Sequence, residues 1–144
     1  LLKALRDAGI PTVVTLGPVL PYLTDSLENL QALLADCVDA KVYGVLLNGF
    51  GVTLRAGASA YFFSCLRELS PELPEAYEAL LPPGKAGKTA SFLSPNAEAL
   101  AEFFETSTAA CGLVTDPEDL FAFRHAFQDR RGGQQLSLFD LYDL

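Results

Sequence analysis

The apolar positions of this chain first recur at helical spacing, then close into short unbroken runs. Leu1, Leu2 and Leu5 share one face of a predicted helix over 1–8, and Gly9 stands where a glycine cap would end it. Ile10-Pro11 stops that helix. TVVTL at 12–16 is β-branched and continuous, the pattern of a parallel strand covered on both faces. Gly17-Pro18-Val19-Leu20-Pro21 turns the strand end into a loop. Leu27, Leu30, Leu34, Cys37 and Val38 then lie three or four apart, which predicts an amphipathic helix of about 14 residues. Asp25, with Glu28 three residues on, is its expected cap, and Thr24 is the alternative. KVYGVLL at 41–47 is the second buried strand, ending in the loop Asn48-Gly49-Phe50-Gly51. The order helix, strand, helix, strand makes this sheet parallel.

After Gly57 the pattern reads as helices only. A helix over 59–69 puts Phe62, Cys65, Leu66 and Leu69 on one face, and a short one follows over 74–81. LPPGKAGK at 81–88 is a linker. Ser94-Pro95-Asn96 opens the next helix, with Leu100, Phe103 and Phe104 turned inward and Gly112 at its end. Asp116-Pro117 starts the last helix, a cap followed by proline at the first position, and Leu120, Phe123 or Arg124, and Phe127 form its stripe. Residues 130–133 end it, and QQLSLFDLYDL is a tail. The division that results is 1–57, 58–130 and 131–144.

Composition sharpens this picture. Half the residues are hydrophobic, 19% are charged, and the mean hydropathy is +0.25, which is apolar for a domain of this size. The longest apolar runs are about half the roughly 20 residues of a membrane-spanning helix. The surplus is therefore expected to face something other than a membrane, namely a missing N-terminal half of the same polypeptide. The lack of an initiator Met and a start inside a helix–strand unit give the same expectation. A cut parallel sheet leaves unpaired strand groups, so the isolated chain is expected to form a homo-oligomer or aggregate unless its helical extension covers the gap. The net charge of -8 and pI near 4.5 oppose a broad phosphate-binding surface within this segment, though not in an absent half. Cys37, Cys65 and Cys111 show no CxxC spacing, so reduced core cysteines in a cytoplasmic protein are expected and no metal ligands are assigned.

Self-contained catalytic chemistry is scarce. His125 is the single histidine and sits within a predicted helix, while Ser64 and Ser91 have no His and acid nearby in sequence. PPGKAGK lacks the P-loop spacing and follows a helix rather than a strand. No catalytic residue is assigned. The strand-end loops are another matter, because ligands of parallel α/β sheets bind outside the carboxyl ends of the strands. Gly17-Pro18 and Asn48-Gly49 occupy that position, either for close backbone approach to a ligand or as plain tight turns. Arg55 suits a substrate carboxylate or phosphate, or a surface ion pair.

AGIP at 8–11, PVLP at 18–21 with Asp25, VTLRAG at 52–57 with Tyr61, Phe62 and Phe63, and SPN at 94–96 together resemble one family. It is the radical S-adenosylmethionine superfamily, in its spore-photoproduct-lyase-like group, also called DNA repair photolyases. The resemblance covers most of the chain and lies in pattern rather than in one diagnostic motif. It implies an α/β fold, the terminal βα units of a partial (β/α)6 TIM-type barrel with a helical C-terminal extension. It implies a parent enzyme using S-adenosylmethionine and a [4Fe–4S] cluster, with damaged DNA as the suggested substrate. Gly17, Pro18, Val19, Asn48 and Gly49 would then form one wall of the cofactor site, and Tyr61 would belong to the core rather than relay a radical. The family's CxxxCxxC loop is missing here, so the cluster ligands are expected upstream and neither cofactor is expected to bind this chain alone.

The tail carries a second resemblance. Gln135, Leu136, Ser137, Leu138 and Phe139 (QLSLF) look like the short peptide by which bacterial repair and replication proteins dock on the sliding clamp. The same apolar residues could instead fold back over the core. Two other functions stand beside the radical enzyme: a non-catalytic module docking through this tail, and another α/β barrel enzyme with similar loops.

Overall fold

The computed structural model describes residues 1–55, 57–81 and 90–125, the side chains of 123–125 excepted. The elements in order are α1 (Leu2–Asp7), β1 (Val13–Leu16), α2 (Leu27–Asp39), β2 (Gly44–Leu47), β3 (Gly51–Leu54), α3 (Ala58–Leu69), α4 (Leu73–Ala79), β4 (Ala90–Leu93), α5 (Ala97–Cys111) and α6 (Pro117–His125). β1 and β2 pair in parallel, from Val13 opposite Gly44 to Leu16 opposite Leu47. α2 and α5 cover them. Leu16, Leu30, Leu34, Cys37, Val45, Leu100 and Phe104 close into one buried cluster.

The far edge of β2 is also taken. Gly44 bridges Val114 in parallel, and the Val45 amide donates to the Val114 carbonyl at 2.8 Å. Only glycine fits at position 44, since a Cβ there would lie 2.3 Å from that carbonyl oxygen and 2.6 Å from Leu120 Cδ2. Asp116 Oδ1 accepts from the Glu118 and Asp119 amides, and this cap aims α6 so that Leu120 reaches the sheet.

The described residues do not form a partial barrel. They make a small mixed α/β domain with two sheets of two strands each, β1-β2 and β3-β4. The physical reason lies between β2 and β3. A parallel neighbour needs a crossover of a dozen or more residues. The chain re-enters a strand after Asn48, Gly49 and Phe50 alone. β3 therefore leaves the first sheet and pairs antiparallel with β4, Gly51 opposite Leu93 and Leu54 opposite Ala90. The helices-only reading beyond Gly57 fails for the same reason: β4 supplies the partner that β3 needs. Beneath this ribbon, Leu54, Leu66, Tyr77 and Phe92 form a second buried cluster.

Smaller differences follow from tertiary contacts. Ser26, not Asp25 or Thr24, caps α2, its side chain accepting from the Asn29 amide at 3.1 Å. Leu27, Val38 and Leu69, expected inward, are exposed, as is Tyr61 at 76% of its surface, which removes it from the core. Among the described residues no helix is long and apolar enough to cross a membrane.

Candidate functional site

Both parallel strands end at the same place, and their loops touch. The Asn48 amide donates to the Leu16 carbonyl at 3.0 Å, carrying the ladder one step beyond β2. Gly17 has φ of +149°, and a Cβ on it would meet Asn48 Cβ at 3.1 Å, so the close approach of the two loops depends on glycine. Gly17, Pro18, Asn48 and Gly49 all line one open groove of about 540 Å³. Its opposite wall is the outward face of the β3–β4 ribbon, where Thr53 Oγ1 and Ser91 Oγ lie 3.0 Å apart across the strands.

The structure thus brings four of the five cofactor candidates together. Val19 does not line the groove but an adjoining apolar cavity of about 180 Å³ with Leu30, Leu33 and Leu100, and Gly17 and Pro18 line both spaces. Arg55 is exposed at the end of β3 and lines neither space; among the described residues no carboxylate pairs with it. Gln135, Leu136, Ser137, Leu138 and Phe139, the linker over 82–88 and the side chain of His125 lie outside the described residues.

Sequence reasoning missed what fixes the first loop. Asp25 is buried, and Ser94 Oγ donates to its Oδ2 at 2.5 Å. Ser94 Oγ in turn accepts from the Asn96 amide, and Asn96 Nδ2 donates to the Asp25 carbonyl at 3.2 Å. The Tyr77 hydroxyl donates to the Pro21 carbonyl at 2.8 Å from a fully buried ring. Burial pushes the Tyr77 phenol up to about 12, with smaller contributions from the charge of Asp25 and from Tyr22. PVLP with Asp25 and SPN, which stand far apart in sequence, are therefore joined. The one signal was an acidic residue, Asp25, close behind the apolar run PVLPYL; nothing local marked Ser94 or Tyr77 as its distant partners.

Nucleophile chemistry finds no support here. Ser91 pairs with Thr53, and Ser64 Oγ donates to its own helix at the Tyr61 carbonyl, 2.7 Å away. The cysteines do not suit an iron–sulfur cluster either. Cys37 is buried on α2, Cys65 is half-buried on α3 and Cys111 is exposed at the end of α5. Burial, followed by the charge of Asp36, raises the Cys37 thiol above its ordinary range and disfavours the thiolate that iron needs. Among the described residues no three His, Cys, Asp or Glu side chains gather as a metal site.

No family model matches the chain, and no solved structure matches it. An uncharacterized protein of Mycobacterium bovis and two of Mycobacterium tuberculosis, from two strains, are each 40% identical to it over 80 residues. That stretch is 56% of this chain and 23% of each relative, so the match spans less than a quarter of the relatives' length.

Proposed function

We propose that this chain is the C-terminal part of a radical S-adenosylmethionine enzyme of the spore-photoproduct-lyase-like group, working in the cytoplasm. The observation that carries the reading is the meeting of the Gly17-Pro18 and Asn48-Gly49 loops at the carboxyl ends of two parallel strands, where such sheets hold their ligands. The motifs behind the resemblance also cooperate physically, since Asp25 and Ser94-Asn96 brace the first loop from behind. Bound S-adenosylmethionine would supply a reactive 5′-deoxyadenosyl group. This chain's part would be to shape one wall of that cofactor's site, with backbone groups of Gly17 and Gly49 and the Asn48 amide. The cluster thiolates come from elsewhere in the polypeptide, because the three cysteines here are scattered over three helices.

The test is anaerobic iron and sulfide reconstitution of the whole polypeptide that contains this chain. A brown [4Fe–4S] chromophore, S-adenosylmethionine binding, and weaker binding in Gly17→Val are expected, while these 144 residues alone take up no cluster. A whole polypeptide with no CxxxCxxC loop and no chromophore ends the proposal.

A further inference from the structure

The apolar cavity of about 180 Å³ beside the groove forms where β1 ends between the helices that cover it. Leu16 is the last residue of β1, and the next residue, Gly17, brings no side chain to fill the space. Leu30 from the first turn of α2, Leu100 from the first turn of α5 and Phe50 from the loop after β2 complete the floor with Leu16. All four side chains are buried, and each presents carbon alone. Pro18, Thr24, Asn29 and Leu33 are exposed and form the mouth. Hydrogen bonds fix this rim: the Leu20 amide donates to Thr24 Oγ1 at 2.8 Å, and Asn29 Nδ2 donates to the Thr24 carbonyl at 2.8 Å. The cavity is therefore preformed rather than opened by its occupant.

Size and chemistry select the occupant. Whole small molecules take pockets of roughly 300–1,000 Å³, so this space encloses only part of a ligand. A cavity of about 150 Å³ lined by Leu, Ile and Phe binds benzene, and the floor here has similar composition and slightly more room. Left empty, its lining lacks dispersion partners that a flat apolar ring supplies. A charged group on the same floor would shed its water and meet only carbon. We infer that the cavity binds an uncharged apolar ring of about the size of benzene, carried by the substrate. Gly17, Pro18 and Phe50 line both spaces, so a ring seated here lies against the same turn as the ligand of the groove. The inference rests on the reading of the strand-end loops as a ligand site. It sets no charge on what fills the groove, since the ring alone enters the cavity.

Methyl NMR spectra of the 144-residue protein are followed during titration with benzene and, separately, with benzoate. Nuclear Overhauser contacts from benzene to the methyls of Leu16, Leu30 and Leu100 are expected. Benzoate, whose ring is the same but carries a charge, is expected to bind at least about tenfold more weakly. Leu33→Trp places a larger ring at the exposed mouth and is expected to weaken benzene binding by about tenfold. Benzene contacts to none of these methyls, equal binding of benzoate, or unchanged affinity in Leu33→Trp overturns the inference. A cavity already filled by another part of the chain gives no benzene contact and overturns it as well. The contacts and the benzoate comparison use the unmutated protein, so they do not depend on the variant folding. A whole polypeptide that takes up a cluster while this chain ignores benzene removes the ring site alone. Benzene in the cavity without a cluster in the whole polypeptide removes the radical-enzyme reading and leaves the ring site.

Discussion

Around β1 and β2 the core is mainly aliphatic, with Leu16, Leu30, Leu34, Val42, Val45 and Leu100 closing over a parallel pair. The β3–β4 ribbon instead rests on a knot of rings. Tyr77 sits 5.3 Å from Phe62 and 5.4 Å from Phe92, and Phe63 meets Phe92 at 6.0 Å, all tilted or edge-on. Aliphatic side chains fill space with little angular demand, whereas ring pairs contribute only at particular inclinations. The aliphatic half therefore follows from periodicity, and the aromatic half from the way distant segments dock. Between the halves run hydrogen bonds rather than grease: Ser94 to Asp25, Tyr77 to the Pro21 carbonyl, and the Ser94 amide to the Phe50 carbonyl at 2.9 Å. The seam fixes the loop at the groove.

The sharpest way to break this contrast is Tyr77→Ala. It removes the buried ring on which Phe62 and Phe92 lean and is expected to cost about 4 kcal/mol in urea unfolding. Gly44→Ala is the corresponding blow to the aliphatic half. Its Cβ collides with a backbone carbonyl that cannot swing aside, so about 3 kcal/mol is expected. If Gly44→Ala proved neutral, the Val114 segment would not sit against β2.

Alkali separates the halves without mutation. The phenol of Tyr77 is harder to ionise folded than unfolded, so its stabilisation is complete below pH 10 and is lost as pH rises toward about 12. Unfolding free energy should fall by roughly 2–3 kcal/mol across that window, and Tyr77→Phe should flatten the slope. Ser94→Ala leaves the buried Asp25 carboxyl without its 2.5 Å donor, for an expected loss of about 2 kcal/mol. Lys3→Ala is the weakest change. Its ion pair with Asp39 leaves both side chains 60% exposed, so no shift in the unfolding midpoint is expected in 0.15 M salt, although the Lys3 hydrogen bond and charge lower the Asp39 carboxyl's affinity for protons.

These contrasts explain what could be read in advance. Spacing alone located α2 and α5, because Leu30, Leu34 and Cys37, and Leu100 and Phe104, recur at the helical period. The Asp116-Pro117 cap located α6. The parallel β1–β2 pair followed from element order, and so did the loops that line the groove. The partial barrel did not follow, since strand pairing beyond β2 depends on connection length and on β4, whose sequence ASFL has no β-branched residue to mark it as a strand. Asp25 looked like a local cap, yet its partner is 69 residues away.

By itself, then, the sequence determined the local elements, through the 3.6-residue recurrence of apolar side chains, and the glycine turns that end the parallel strands. Tertiary structure alone decided which strands pair, which hydroxyls face the groove, and that a buried carboxylate and a buried phenol brace its first loop. Local backbone preference acts over a few residues, whereas desolvating Asp25 and Tyr77 is favourable only when a specific distant partner arrives.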